Sequence, residues 1–517
     1  MRLGELLSLV EYKVAYGGEG IVNSEVADIT DSSAECAEGS AFFCIEGRRN
    51  DGHSFACDAV ENGASVLVCA SGRGEEMREF TASFGEVGII EVKDTRSAYA
   101  KACGAFYGVL VSDVKMICVT GTNGKTSVST MIHDGLCAYG KRAAILGTLG
   151  GSFEGEYYGC GTMTTPDPKR LYSILYEFIS RGAEYIVMEA SSHALALRKL
   201  DGLRVYMGVF TNLTPEHLDF HGNMDEYEFA KTLLFRKAEY CGVFFADDPH
   251  AERMALALPY GRKKVYCSLA DKGADYFADE VSMLGENGVK YTVNRGIYRV
   301  EGESGNEKTQ IYCGLAGDFS LYNSLLAFAA LCELGIPSAC ASGGITACQG
   351  VKGRMEKLPT PADSGISVFI DFAHTPDALS KLIRSVRGFC GEEKRIVVVF
   401  GCGGDRDRSK RSLMGAIASR LADLTVITAD NSRSESVDSI INDILSGVDR
   451  TRPYKVINDR KAAIEYVLES AASGDVILLC GKGHEEYELR GGETYPFSER
   501  KIVADFFEKR SGKGGRK

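Results

Sequence analysis

Val119-Thr120-Gly121-Thr122-Asn123-Gly124-Lys125-Thr126-Ser127 joins an apolar run to an amphipathic one through a glycine-rich turn. It follows the apolar run 114–119, which reads as a buried strand. It opens a helix in which Val128, Met131, Ile132, Leu136 and Tyr139 recur at helical spacing, with Gly140 as the stop. Strand, Gly-rich loop, Lys-Thr and helix form the layout of a phosphate cradle. Glycines let backbone N–H groups approach phosphate oxygens, and the helix N-terminus adds partial positive charge. Lysine neutralises, and the threonine hydroxyl can hold Mg²⁺. The spacing is the short G-x-x-G-K-T; in the longer G-x-x-x-x-G-K-[ST] pattern the first glycine would fall on Val119. An ordinary glycine-rich turn has no need of Lys and Thr at those two places. The loop therefore predicts a nucleoside triphosphate site made by Gly121, Thr122, Asn123, Gly124, Lys125, Thr126 and Ser127.

Working outward, 517 residues are too many for one core and suggest three or four domains, and 44% hydrophobic with 25% charged residues is a soluble globular composition. A net charge of −12 argues against nucleic acid as the main partner and against an anionic membrane surface. The seventeen cysteines are scattered, with no C-x-x-C pair, so free thiols in a reducing cytoplasm are expected. Residues 1–10 carry Arg2 and Glu5 in an amphipathic pattern unlike a secretory leader. No apolar run approaches the ~20 residues of a membrane helix.

Ahead of the loop, short apolar runs at 42–45, 65–69 and 87–92 predict a small α/β domain, with a boundary near 108–113. Behind it, the apolar runs 185–188 and 207–210 lead into Glu189-Ala190-Ser191-Ser192-His193 and Thr211-Asn212-Leu213-Thr214-Pro215-Glu216-His217. Ligands of an open parallel sheet bind beyond the carboxyl ends of its strands. Glu189, Asn212 and His217 are therefore expected beside the phosphate loop, where a carboxylate and an imidazole can bind Mg²⁺ or orient a nucleotide. The segment 225–239 reads as a helix, and Lys231 shares an apolar stripe with Tyr227, Leu234, Phe235 and Ala238. Two readings stay open for it: a stem that lifts its ammonium to solvent, or a lysine held neutral by burial and available for chemistry.

In the last third, the apolar runs 395–400, 424–428 and 476–480 precede Gly401-Cys402-Gly403-Gly404-Asp405-Arg406, Ala429-Asp430-Asn431-Ser432-Arg433 and Gly481-Lys482-Gly483-His484-Glu485. Three strands ending in polar motifs make one edge of a Rossmann-like sheet a site for a small charged substrate.

Taken in order, residues 120–127, Thr164-Thr165-Pro166, 188–193, 210–222, Ala230-Lys231, Gly353-Arg354-Met355-Glu356, Asp371-Phe372-Ala373-His374-Thr375-Pro376-Asp377 and 481–485 resemble the successive motifs of the Mur ligases. These are the ATP-dependent amide-forming enzymes of peptidoglycan synthesis, and the likeness spans nearly the whole chain. It is greatest to the type that adds the third residue of the stem peptide. The resemblance implies an α/β fold of three domains: a small N-terminal α/β domain for the UDP-sugar (1–111), a central P-loop-type ATPase domain with a mainly parallel sheet (112–352), and a C-terminal Rossmann-like domain for the amino acid (353–517).

It also implies a mechanism and a set of sites. ATP would phosphorylate a substrate carboxylate, and an amine would attack the resulting acyl phosphate. Lys125, Glu189, His217 and Lys231 would be catalytic. Thr126, Glu189, His217 and Lys231 would serve Mg²⁺, Lys231 as a carbamate formed with CO₂. Asn323 would neighbour adenine, and Arg354 and Asp371 would contact phosphate and ribose. Ser32, Thr164, Thr165, Ser191 and Lys199 would hold UDP-MurNAc-L-Ala-D-Glu. Arg406, Asp430, Asn431, Ser432, Arg433, Gly481 and Glu485 would grip the incoming amino acid. Four positions depart from the family pattern: Ser33 and Lys199 stand for Arg, Glu216 for Asp, and Ser320 for Asn.

Asp-Asn-Pro-Arg marks the relatives that add meso-diaminopimelate, and lysine-adding relatives lack the arginine. Here the motif reads Asp430-Asn431-Ser432-Arg433. A guanidinium can bind the second carboxylate of diaminopimelate and would repel the ammonium of lysine, so diaminopimelate is expected, with L-lysine as the alternative. A folylpolyglutamate-synthase-like ligase shares the phosphate loop, but the N-terminal region and the Arg433 motif argue against it. The expected partners are small molecules only, for a cytoplasmic monomer that binds neither nucleic acid nor membrane.

Overall fold

Strand Lys115–Thr120 is buried at all but its first residue, as a strand covered on both faces must be. The computed structural model describes residues 1–47, 50–160, 163–298, 304–348 and 350–514. Lys115–Thr120 lies inside an eleven-stranded sheet, between Tyr185–Glu189 and Val205–Phe210. Seven strands, from Ala143–Gly147 at one side to Tyr276–Met283 at the other, run parallel. The chain leaves Lys115–Thr120 towards one side of the sheet and, after Tyr185–Glu189, crosses to the other. The phosphate loop thus sits at the topological switch point, where a crevice opens. Register brings the motifs level: Glu189 pairs with Val119, and Phe210 with Thr120.

Helix Lys125–Ala138 buries Val128, Met131, Ile132 and Leu136 against Ile117 and Val119. Tyr139, expected on that face, is the exposed residue at the C-cap. The helix expected over 225–239 runs Met224–Phe235, and Ala238 instead begins strand Ala238–Phe245. Pairing with Val205–Phe210 buries Cys241, Val243 and Phe244, and that gain overrides continuation of the helical stripe.

The N-terminal sheet has five strands in the order Tyr12–Tyr16, Gly88–Val92, Ala64–Ala70, Ser40–Phe43 and Asp28–Thr30, parallel except for the first pair. The C-terminal sheet has six, in the order Glu356–Leu358, Ser367–Asp371, Val476–Cys480, Ile396–Phe400, Leu424–Ile427 and Tyr454–Val456, parallel except at Glu356–Leu358. The three strands read from the sequence as carrying the polar motifs are adjacent, with Ile396–Phe400 in the middle. Helix Pro376–Cys390 brings the C-terminal part against the phosphate loop, where Asp377 accepts from Asn123 Nδ2 (3.3 Å) and Thr214 Oγ1 (3.2 Å). Among the described residues no helix is long and apolar enough to cross a membrane. All seventeen cysteines are free.

Candidate active site at the phosphate loop

Two glycines make the loop possible. Gly121 has φ +151°, and a Cβ there would lie 1.9 Å from Thr211 Oγ1. Gly124 has φ +86°, and its Cβ would lie 2.4 Å from Asn323 Oδ1. Either side chain would force the loop off its neighbours and demand a backbone that L-residues avoid. Asn212 clamps the loop, donating to Asn123 O at 3.0 Å and accepting from Asn123 N at 3.0 Å. Its amide is thus committed to the cradle's shape.

Two lysines converge on one carbonyl. Lys125 Nζ donates to Gly121 O (3.0 Å) and Thr122 O (2.9 Å), while Lys231 Nζ donates to the same Gly121 O at 2.8 Å. Lys231 is 1% exposed, so its head does not reach solvent. The Tyr227 ring face, 4.6 Å away, favours the ammonium. Burial and the nearby Lys125 oppose it more strongly, outweighing Glu216, and hold the Lys231 amine well below its ordinary value. Burial thus favours the neutral amine at Lys231 over the ammonium.

Glu189, 2% exposed, ends its strand beside them. Its carboxylate accepts from Thr148 N (2.9 Å), Thr148 Oγ1 (3.0 Å) and Thr126 Oγ1 (3.2 Å). Each such bond to a charged acceptor is worth about 1.5–3 kcal/mol. Gly147 makes room, since a Cβ there would come within 2.3 Å of Glu189 Oε1. His217 sits at φ +57°, edge-on to His193 with ring centroids 4.7 Å apart. Burial, then Lys125 and Lys231, push its imidazole down to about 4, so it is neutral and able to ligate a cation at pH 7. Among the described residues no three or more His, Cys, Asp and Glu groups gather into a ready-made metal site. The donors present, a hydroxyl, a carboxylate and a neutral imidazole, fit Mg²⁺ that completes its shell with phosphate oxygens and water.

A cavity of 560 Å³ opens in front of these groups. One wall is the loop with Glu216 and His217; the opposite wall is Arg354, His374 and residues 484–487. Arg354 reaches across it, with Nη2 3.4 Å from Thr126 Oγ1 and its guanidinium 4.9 Å over Phe372. Glu216 lies between two imidazoles, 3.7 Å from His217 Nε2 and 4.0 Å from His374 Nε2. Burial with Lys410 pushes His374 down to about 4, and burial with Arg354 does the same to His484. Unfolded, both would protonate near 6.5. As pH falls from about 6.5 to about 4 the unfolded chain takes up protons that the native state refuses, so stability present above that window is lost within it. Chemical denaturation at pH 7, 6 and 5 is expected to show the midpoint falling, with a shallower fall in His484→Gln.

A smaller cleft of 80 Å³ on the other side of the loop is lined by Ser127, Tyr322, Asn323, Asp371 and Lys381. Asn323 Oδ1 is buried there with no hydrogen-bond partner among the described residues, and Ser320 donates to Ala316 O in the turn ahead of its helix. Both Asp371 oxygens accept backbone N–H groups, from Met355 (2.7 Å) and Ala373 (2.8 Å), which shapes the chain on either side of the cleft.

The remaining candidates divide. Thr164 lines the large cavity and accepts from Thr148 Oγ1 at 3.2 Å. Thr165 and Ser191 bond each other (3.3 Å) beneath Glu189. Lys199 pairs with Asp167 at 2.7 Å, and Ser32 lies at the N-cap of Ser33–Glu35; neither lines the cavity. On the C-terminal wall, Asn431 Nδ2 holds Glu485 Oε2 (2.7 Å), and Asn431 Oδ1 accepts from Lys482 Nζ (3.0 Å) and Leu489 N (3.0 Å). Gly481, at φ +109°, would clash with Asp430 if it carried a Cβ. Arg433 Nη1 donates to Gly404 O (2.9 Å) and Asn431 O (3.3 Å). Ser432 is buried, and Arg406 is exposed outside the cavity. Sequence reasoning missed Thr148 and gave no role to His374 or His484. The only signal for Thr148 was its place in Gly147-Thr148-Leu149-Gly150, after a short apolar run.

Residues 119–331 match the family model of the Mur ligase middle domain, and residues 353–483 that of the Mur ligase glutamate ligase domain. The chain is 36% identical over 492 residues to the UDP-N-acetylmuramoyl-L-alanyl-D-glutamate–2,6-diaminopimelate ligase of Clostridioides difficile, covering 95% of this chain and 97% of that one. It is 37% identical over 517 residues to the ligase of the same name from Syntrophomonas wolfei, covering 98% and 99%. A solved structure of a UDP-N-acetylmuramoyl-L-alanyl-D-glutamate–2,6-diaminopimelate ligase aligns with a TM-score of 0.68 at 26% identity over 99% of each chain.

Proposed function

The chain belongs to the Mur ligase family, and from that premise we propose that it joins meso-diaminopimelate to UDP-MurNAc-L-Ala-D-Glu, using ATP and releasing ADP and phosphate. One observation carries this reading: a single cavity is walled on one side by the phosphate loop and on the other by Glu485 and its neighbours. A γ-phosphate, a carboxylate and an amine can meet there. The N-terminal part (1–111) takes the UDP-sugar with Ser32, the central part (112–352) ATP, and the C-terminal part (353–517) the amino acid.

Phosphoryl transfer between two anions needs positioning and charge neutralisation more than covalent help. Lys125 and Arg354 supply positive charge at the triphosphate, and Asn323 and Asp371 face the nucleoside. Thr126, Glu189 and His217 would hold Mg²⁺, which supplies charge screening between the two anions. Lys231, in its neutral form, would add to CO₂ with loss of one proton, and the resulting carbamate would supply a further anionic oxygen donor. Thr164, Thr165, Ser191 and Lys199 would hold the sugar nucleotide, with Thr164 alone of the four lining the cavity. The phosphoryl group passes to the substrate carboxylate and ADP departs. The amine then attacks the acyl carbon and gives up a proton, and phosphate leaves as the amide forms.

Glu485, braced by Asn431, offers a carboxylate to the ammonium of the amino acid. Arg433, whose Nη1 touches Asn431 O, stands where a second carboxylate is wanted, with Asp430, Ser432, Gly481 and Arg406 around it. The protein acts as a monomer in the cytoplasm. Phosphate release from ATP and the UDP-dipeptide, with diaminopimelate, lysine or neither, tests the reading. Release is expected with diaminopimelate only, and Arg433→Ala is expected to lose about 10–100-fold in kcat/KM for it, the worth of a charge-assisted pair. A clear preference for lysine overturns the acceptor, and release that needs no amine overturns the ligase reading.

A further inference from the structure

Two of the three motifs assigned to the amino acid, 429–433 and 481–485, follow strands that do not touch. Leu424–Ile427 and Val476–Cys480 flank Ile396–Phe400, so their ends are two strand spacings, about 10 Å, apart. No sheet ladder fixes one against the other directly. Asn431 bonds Glu485 (2.7 Å) and Lys482 (3.0 Å) beyond the strand ends, and a further side chain ties the two strand ends themselves. Arg460, first residue of helix Arg460–Glu469, donates Nη1 to Ala429 O (3.1 Å) and Nη2 to Cys480 O (2.7 Å). These carbonyls immediately precede Asp430-Asn431 and Gly481-Lys482. The guanidinium is held from behind by Glu499, at the start of helix Glu499–Gly514, through Nε (2.9 Å) and Nη2 (2.8 Å). Both side chains are 1% exposed, and Glu499 Oε2 has no hydrogen-bond partner among the described residues.

A buried ion pair with an unsatisfied oxygen is a poor way to gain stability, since well-packed apolar residues commonly do as well or better. It is a good way to fix geometry, because the planar fork reaches two carbonyls in one orientation. We propose that Arg460, braced by Glu499, is a positioning residue that sets the distance between Asn431 and Glu485 and thereby the affinity for the amino-acid substrate. The pair touches no substrate; it acts through the two strand ends. This inference rests on placing the amino acid at that edge.

Steady-state kinetics on the full chain test it with Arg460→Lys, which keeps the charge but loses the fork, and Glu499→Gln, which keeps the shape but loses the charge. Misplacement of about 1 Å can cost up to about 100-fold. Arg460→Lys is expected to raise KM for diaminopimelate about tenfold or more, with KM for ATP and for the UDP-dipeptide within about twofold of wild type. Glu499→Gln is expected to shift the same constant in the same direction by less, and it decides alone if Arg460→Lys does not fold. Equal rises in all three KM values, or a lowered Tm with all three unchanged, overturn the proposal. Wild type that ignores diaminopimelate but uses another amino acid refutes the acceptor assignment, and the same comparison is then read with that amino acid.

Discussion

Replacing Lys231 by alanine is expected to lower kcat by roughly 10³-fold, the scale of losing one preorganised charged group at a phosphoryl-transfer site. Bicarbonate is expected to restore little of it. The geometry sets up the effect: the amine is 1% exposed, shares the Gly121 carbonyl with Lys125 and has its pKa held well below the ordinary value by burial and by Lys125. A neutral amine is the form that adds to CO₂, and the product would carry negative charge near the residues proposed to hold Mg²⁺. Wild type in ¹³C-bicarbonate is expected to show a carbamate resonance that Lys231→Ala lacks, and CO₂-depleted buffer is expected to lower wild-type activity reversibly. Full activity in Lys231→Ala would end the role assigned to this lysine.

Lys125→Met is expected to cost about 10²–10³-fold in kcat as well, for a different reason. Lys125 heads the helix that carries the cradle, and its Nζ donates to Gly121 O and Thr122 O. A triphosphate offers far stronger acceptors, so the lysine exchanges two neutral carbonyls for anionic oxygens as charge develops. Methionine keeps the stem's volume and removes only that exchange. Arginine at 125 is expected to rescue poorly, because a planar fork cannot replace a compact ammonium in so tight a loop. Single-turnover phosphate release separates the two variants: Lys125→Met slows the phosphoryl step itself. Wild-type single-turnover rates in Lys125→Met would exclude the proposed role.

Much of the site was legible because its chemistry is local in the chain. Gly121 to Thr126 spell a phosphate loop by spacing alone, and Glu189 and His217 could be placed near it because strand ends in a parallel sheet share one edge. Register then made this literal, Glu189 opposite Val119 and Phe210 opposite Thr120. Other parts could not be read, because they depend on contacts between segments far apart in sequence. The stripe at Lys231 left two fates open, and burial against the loop, 110 residues earlier, decided between them. Thr148 looks like any loop threonine until it is seen to hold both oxygens of Glu189. The end of the helix at Phe235 was missed because a neighbouring strand, not the helix, determined what Ala238 would do.

The sequence by itself therefore determined the fold class, the phosphate loop and the residue types brought to each strand end, since these follow from periodicity, glycine spacing and chain order. It took the tertiary structure to reveal which of those residues share a cavity, that Lys231 is buried beside Lys125, and that Arg460 ties Ala429 to Cys480. The physical reason is the same in each case. Burial, charge proximity and hydrogen-bond partners belong to pairs of atoms in space, and a linear chain does not show which atoms those will be.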